Sequence, residues 1–224
     1  MGAIFNGLLI IAGAIIGQIV GKYLKENTCQ QLYQAMGLAV IYIGISTMLQ
    51  MNSTLNLLIS LAGGTLIGAI IDLDAQIVKL GDKLQQKFST KNPIALGFVN
   101  SSLLFCVGSM AIVGAFNEGL SQDYSVLLMK GIIDGVAAIV FTAQYGIGVY
   151  FASILVVVYE GLLTLMATFI APFLTEYAIG QLSAVGGVVL LAVGLNMCGF
   201  NKFKPMNMVP AIFVAALLAV IFHF

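Results

Sequence analysis

The segment Tyr124–Phe141, "YSVLLMKGIIDGVAAIVF", is apolar enough to cross a lipid bilayer, yet it carries two opposite charges in its interior. Lys130 and Asp134 lie four residues apart, so both side chains fall on the same side of a helix. A charged side chain near the bilayer centre costs about 2.5–3.5 kcal/mol on insertion scales. We therefore expect the two charges to offset each other and to face another helix.

The composition of the whole chain is that of an integral membrane protein. Of its 224 residues, 60% are hydrophobic and 8% are charged, whereas about a quarter are charged in soluble domains. The net charge is zero and no basic patch could bind nucleic acid, which excludes that class of partner. The three cysteines have no metal-binding or disulfide spacing, so we expect no metal site and no cofactor.

The sequence predicts an all-α, polytopic transmembrane helix bundle with about eight spans, because each apolar run approaches the length of a bilayer core. The second run is short, so its ends are uncertain in the sequence. The runs are Ala3–Val20, Ala35–Leu49, Leu55–Ile71, Pro93–Phe116, Val126–Ala143, Ile147–Phe173, Leu182–Phe200 and Met206–Phe224.

The lysines predict the orientation of these spans. If each run crosses once, one side of the membrane receives every loop lysine and the other side receives none, and an excess of lysine marks the cytoplasmic side. This pattern places both termini outside a multi-pass protein of the cell membrane. The cytoplasmic lysines are Lys22, Lys25, Lys79, Lys83, Lys87, Lys91, Lys202 and Lys204.

The chain also resembles itself when shifted by 94 residues, which pairs Asn6 with Asn100 and, after one insertion, Gly13 with Gly108. Three spans per unit is an odd number, so the second unit enters the membrane from the opposite face. Such an inverted-topology repeat is common among secondary transporters, although duplication without transport is the alternative. The single membrane domain, 1–224, divides into repeat one (1–73), a cytoplasmic amphipathic connector (74–92), inverted repeat two (93–173) and two additional spans (174–224).

The fourth span carries more polar residues than its neighbours. Asn100 lies in its first half, and Gly108 with Ser109 marks the point where we expect the helix to break. Unwound backbone inside a membrane needs such polar groups beside protein or a wet cavity. The alternative is an unbroken helix whose serines bond back to their own carbonyl groups.

Asp134 is the preferred functional carboxylate, and the alternative is that Lys130 and Asp134 form a structural ion pair. Glu160 is a second carboxylate in the middle of a span and requires a proton or a partner on another helix. Glu118 belongs to an acidic stretch near the outer surface. The candidate substrate- or ion-binding residues are Asn100, Ser109, Glu118, Lys130, Asp134 and Glu160.

The stretches "GSMAIVGA" and K-x3-D-G resemble the YqgA-like family of bacterial inner-membrane proteins, a domain of unknown function (number 554). The resemblance extends over essentially the whole chain and implies a multi-span protein of the bacterial inner membrane. It implies no activity or substrate. The residues in its most specific parts are Gly108, Ser109, Gly114, Glu118, Lys130, Asp134 and Gly135.

No enzyme motif is present in the sequence, so we expect no catalytic activity. The leading hypothesis is a secondary transporter or channel for an ion or small polar solute, with its site at mid-membrane between the inverted repeats. The alternative is a non-transporting membrane partner or transport regulator that acts through its cytoplasmic face. The expected partners of the transporter are the lipid bilayer and the ion or small polar solute. The glycine-rich spans also allow a second copy of the chain in a homodimer.

Overall fold

The computed structural model describes residues 1–49, 51–76, 78–79, 94–106, 109–170, 175–200 and 202–222. Within these ranges all regular secondary structure is helical, which confirms the all-α class. The helices are α1 (Gly2–Tyr23), α2 (Glu26–Met48), α3 (Thr54–Ile71), α4 (Ile94–Cys106), α5 (Ser109–Ser121), α6 (Ser125–Tyr145), α7 (Gly148–Ile170), α8 (Glu176–Met197), α9 (Pro205–Met208) and α10 (Pro210–Phe222).

Five of the described helices are long and apolar enough to cross a membrane, namely α1, α3, α6, α7 and α8. Helix α4 and the segment Met110–Ser121 pass the same test as a bent pair, which raises the number to six. The predicted multi-pass bundle is therefore confirmed at five or six spans, and the count of about eight is not. Helix α2 has 23 residues but is more polar, since Gln30, Gln31 and Gln34 lie in its first half.

Glycines bring pairs of helices into backbone contact, and these contacts reveal the helix directions. A side chain at Gly13 would collide with the carbonyl oxygen of Gly135, and one at Gly17 with that of Ile139, so α1 and α6 run parallel. Without a hydrophobic force between helices in lipid, such close approach supplies much of the packing energy. The α1–α6 pair is the most extensive helix contact among the described residues.

The helices pack into two groups. The first helix group contains α1, α4, α5, α6 and α7, and the second contains α2, α3, α8, α9 and α10. The main link between the groups is the contact of α2 with α6. Repeat one therefore contributes helices to both groups, while the helices of repeat two all lie in the first. The inverted repeat and the division of the chain into units stay predictions.

The second helix group is built around α8. In the most apolar window of α8, 67% of the residues are buried, against 22% for α3, so α8 is central and α3 faces outward. The hydrophobic core continues between the groups, where Val40 of α2, Phe141 of α6 and Val189 of α8 are fully buried. This contact region forms one side of the candidate site.

Most of the predicted amphipathic connector, 74–92, lies outside the described residues. Residues 73–76, which include the start of the connector, are helical and follow α3 after a turn at Asp72. The backbone N–H of Asp74 donates a hydrogen bond of 2.9 Å to Oδ1 of Asn207. The ammonium nitrogen of Lys204 lies 3.7 Å from Oδ1 of Asp72. The start of the connector is thereby joined to the segment around α9.

Candidate functional site

Four polar side chains meet where α1, α6 and α7 come together. They are Asn6, Lys130, Asp134 and Glu160, and none is more than 5% exposed. The ammonium group of Lys130 pairs with Oδ2 of Asp134 and lies 3.5 Å from Oε1 of Glu160. We refer to these four residues as the charged cluster. The predicted ion pair is present, and Glu160 is its neighbour in space.

The packing of α1 against α6 explains how Asn6 reaches the cluster. Gly131 follows Lys130 directly, and a Cβ atom at this position would lie 3.0 Å from the Cα atom of Asn6. Gly135 follows Asp134 and lies equally close to α1, because a Cβ atom there would be 2.9 Å from the carbonyl oxygen of Leu9. The two glycines thus let α1 pass beside the ion pair.

The amide of Asn6 bridges the two carboxylates. Its Nδ2 atom donates to both oxygens of Glu160, at 2.8 and 3.0 Å, and to Oδ2 of Asp134 at 3.2 Å. Its Oδ1 atom is buried and has no hydrogen-bond partner among the described residues. A buried acceptor that lacks a partner costs about 1–3 kcal/mol. The cluster therefore contains an oxygen whose hydrogen-bonding capacity the described residues leave unused.

The charges of the cluster do not balance when all of its groups are ionised. Asp134 and Glu160 together carry two negative charges, whereas Lys130 supplies one positive charge. An uncompensated charge buried in protein is strongly destabilising, and the cost is greatest in the apolar interior of a membrane. One bound proton or cation would make this cluster neutral.

The cluster borders a cavity of about 580 Å³ between the two helix groups. Lys130 and Asp134 line this cavity, whereas Glu160 is fully buried and does not. The cluster therefore has an open side at Asp134 and a sealed side at Glu160. The rest of the lining is mostly apolar and comes from α2, α4, α5 and α6, including Met36, Val40, Thr47, Leu104, Ala111 and Ala137.

Asn100 belongs to a different cluster, near the other end of α6. Its Nδ2 atom donates to the hydroxyl groups of Tyr33, at 3.1 Å, and Tyr145, at 3.0 Å, and the Tyr145 hydroxyl donates to that of Tyr33. We refer to these three residues as the tyrosine cluster. Tyr145 lies roughly 16 Å along the helix axis from Asp134, at 1.5 Å per residue. Asn100 therefore does not lie beside Asp134, although both are predicted ligands of one site.

Glu118 also lies apart from the charged cluster. One of its oxygens accepts a hydrogen bond of 2.9 Å from the backbone N–H of Gly2 and contacts the amino group of Met1. This carboxylate fixes the first turn of α1 to α5 and lines a separate cavity with Tyr124 and Thr164. The contacts of this oxygen are those of a helix anchor, whereas the other oxygen, Oε2, is buried with no hydrogen-bond partner among the described residues.

The predicted helix break falls on a part of the chain that is described incompletely. Gly108 and the side chain of Ser109 lie outside the described residues. The described helices on either side, Ile94–Cys106 and Met110–Ser121, differ in direction by 58°. The C-terminal half of this bent pair lines the central cavity through Met110 and Ala111.

Asn6 belongs to the charged cluster but is not among the candidate ligands that the sequence predicts. In the sequence it stands out only as the repeat partner of Asn100. A usable signal was present, because Asn6 is an isolated amide in a long apolar run and must find a partner on another helix. Its partners, Asp134 and Glu160, are 128 and 154 residues away in the chain, so the sequence could not name them.

The comparisons with known proteins agree with the membrane character of the chain. It is 34% identical over 226 residues to the uncharacterized membrane protein YdfK of Bacillus subtilis, covering 99% of this chain and 96% of that protein. It is 31% identical over 221 residues to the uncharacterized protein YqgA of Escherichia coli, covering 96% and 94% of the two chains. No solved structure matches it.

The family model described as "Protein of unknown function (DUF554)" matches residues 1–220. This match and the two relatives, which are similar over nearly their full length, confirm the family that the sequence motifs indicated. The chain is a multi-pass membrane protein that belongs to the DUF554 family.

Proposed function

We propose that this protein is a secondary transporter or channel for an ion or small polar solute in the bacterial inner membrane. The observation that carries the proposal is the excess carboxylate charge of the buried cluster, which opens onto the cavity through Asp134. A purely structural ion pair needs one acid for each base. The second buried carboxylate, Glu160, adds a negative charge that Lys130 does not also neutralise, and a bound proton or cation removes the cost of that charge.

The position of the cavity supports transport. It lies between the two helix groups, whose main link is the contact of α2 with α6. Rocking of one group against the other could expose such a site to either side in turn, which is the usual mechanism of secondary transporters. The proposal includes eight crossings arranged as an inverted repeat plus two spans. The parallel direction of α1 and α6 supports that count, since the first and fifth spans cross in the same sense.

The test is a flux measurement on the purified protein in liposomes, with a panel of ions and small polar solutes. Asp134→Asn should abolish the uptake that the unaltered protein catalyses, while the protein stays folded in detergent. Asp123→Asn is the matched control because Asp123 is an exposed loop residue that accepts from the backbone N–H of Ser125 at 2.9 Å. Asparagine can make the same Asx-turn contact, so the control should transport normally.

Two results would contradict the proposal. Unchanged flux in Asp134→Asn would remove this carboxylate from the mechanism. Folded protein that moves no solute of the panel would instead favour the alternative function, a transport regulator that acts through its cytoplasmic face.

A further inference from the structure

We infer that the charged cluster binds one monovalent metal cation, such as Na⁺, at Asp134, in exchange with the ammonium group of Lys130. Glu160 is the carboxylate to which Lys130 moves when the cation arrives. The inference rests on the proposed function, because it names the coupling ion or substrate of the same cavity.

The oxygen atoms of the cluster favour a metal ion. Alkali and other hard cations bind carboxylate and amide oxygens. Asp134 lines the cavity, and Oδ1 of Asn6 is fully buried with no partner in the described part of the chain. The two side chains already touch, since Nδ2 of Asn6 donates to Asp134, and rotation of the Asn6 amide would turn Oδ1 toward an ion on that carboxylate. A proton on a carboxylate would neutralise the charge but would leave the Asn6 oxygen unused.

The charge of the cluster selects the valence of the ion. With Lys130 retained, a single added positive charge makes the four residues neutral. A divalent cation would reverse the imbalance and leave a net positive charge in a buried site, which is as unfavourable as the negative one. We therefore expect selectivity for Na⁺, K⁺ or Li⁺ over Mg²⁺ and Ca²⁺.

The ammonium group of Lys130 lies close to both carboxylates, so it can move from Asp134 to Glu160 when a cation binds. Its ammonium group pairs with Asp134 and lies 3.5 Å from Glu160, so the second carboxylate is within reach of the same side chain. Lysine has three donors on a flexible stem, and the shift from one carboxylate to the other requires rotation of that side chain alone. A cation entering from the cavity meets Asp134 first, because Glu160 is sealed.

The test uses the full-length protein in detergent, with Na⁺ replaced by choline at constant ionic strength and fixed pH. Binding is read as the rise of Tm with Na⁺ concentration and by titration calorimetry, since a ligand of the folded state stabilises it by mass action. The unaltered protein should respond to Na⁺, K⁺ or Li⁺. Glu160→Gln should weaken this binding by roughly a hundredfold or more, because Lys130 then keeps Asp134 as its only counter-ion.

The decisive variant is Lys130→Met combined with Glu160→Gln. It leaves Asp134 with the same net charge as the original cluster and without a competitor, so cation binding should return and exceed that of the unaltered protein. Asp134→Asn should not bind, since Lys130 and Glu160 then neutralise each other. Asp123→Asn is the exposed control and should bind normally.

The inference is overturned if the Tm of the unaltered protein responds to pH but to no alkali cation. It is also overturned if the double variant is folded and binds no better than Glu160→Gln. The proposed function fails separately: protein that binds Na⁺ in this pattern but moves nothing in liposomes would be a cation-sensing membrane protein. Flux that is unaffected by alkali cations would retain the transporter and remove the metal ion.

Discussion

The two buried polar clusters of α6 differ in how completely their atoms are paired. The tyrosine cluster is neutral, and in the described part of the chain none of its atoms is buried without a partner. The charged cluster has an excess negative charge and an unpaired oxygen on Asn6, and it faces a cavity. Complete pairing is what a structural contact requires, whereas incomplete pairing combined with an excess charge beside a cavity indicates a ligand.

The clusters also differ in which helices they join. The charged cluster lies within the first helix group, on α1, α6 and α7. The tyrosine cluster crosses between the groups, because Tyr33 is on α2 and its partners are on α4 and α6. We therefore expect substitutions in the first to affect ligand binding, and substitutions in the second to affect the contact between the groups.

The largest expected effect follows from Lys130→Met. This change leaves Asp134 and Glu160 buried together without a positive partner, and breaking a buried pair in this way costs about 3–5 kcal/mol. The free energy of unfolding, measured by denaturant titration in detergent micelles, should fall by that amount. Adding Asp134→Asn returns the cluster to a single negative charge and should recover part of the loss. Unchanged stability in Lys130→Met would show that the side chain is not paired.

Substitution of Gly13, which belongs to neither cluster, should disrupt the charged cluster and leave the tyrosine cluster intact. Alanine at Gly13 would collide with the carbonyl oxygen of Gly135 and push α1 away from α6, which separates Asn6 from its carboxylates. Overpacking of this kind costs about 1–3 kcal/mol. We expect Gly13→Ala to lower both the unfolding free energy and the response of Tm to Na⁺.

Gly63 provides the matched control for that experiment. A Cβ atom there has no neighbour within 4 Å, and the residue lies inside α3. Gly63→Ala should be neutral or should stabilise the protein by up to about 1 kcal/mol, because alanine favours the helix. Equal loss in both variants would mean that the α1–α6 contact does not control the result, because helix propensity favours alanine at both positions.

The sequence predicted the charged cluster only in part, for a physical reason. Helical spacing places Lys130 and Asp134 on one face together with Gly131 and Gly135, so the ion pair and the helix approach could be predicted. The identity of the helix that packs there, α1, depends on contacts between segments more than a hundred residues apart. The spacing of residues within α6 does not contain that information. The sequence therefore predicts that Glu160 needs a proton or a partner on another helix, but it does not name Lys130 as that partner.

The same limit explains why Asn100 and Glu118 lie apart from the charged cluster. Both are predicted ligands because each is polar within or beside an apolar span. Polarity indicates that a residue needs a partner, but depth and rotation of the helix decide which partner it meets. Asn100 meets two tyrosine hydroxyl groups, and Glu118 meets the first turn of α1.

Asn100→Leu tests whether the tyrosine cluster is structural. The substitution removes two hydrogen bonds, but Tyr33 and Tyr145 still bond to each other, so neither hydroxyl is left without a partner. We expect a loss of about 1–2 kcal/mol in unfolding free energy, from one or two net hydrogen bonds. The dependence of Tm on Na⁺ should remain. Loss of cation binding as complete as in Asp134→Asn would mean that the two clusters form one functional unit.

The smallest loss of unfolding free energy is expected for Tyr145→Phe. This variant is also the most direct test of whether the two clusters have separate roles. Phenylalanine keeps the ring, whose centroid lies 5.0 Å from that of Tyr33, and removes only the hydroxyl group. Asn100 can still donate to Tyr33, so the cost should be about 0.5–1.5 kcal/mol, the net value of one hydrogen bond. Cation binding should be unchanged, because the altered atom is about three helical turns from Asp134. Flux in liposomes should change if the contact between helix groups sets the rate of rocking, and then binding and flux would be controlled by different clusters on the same helix.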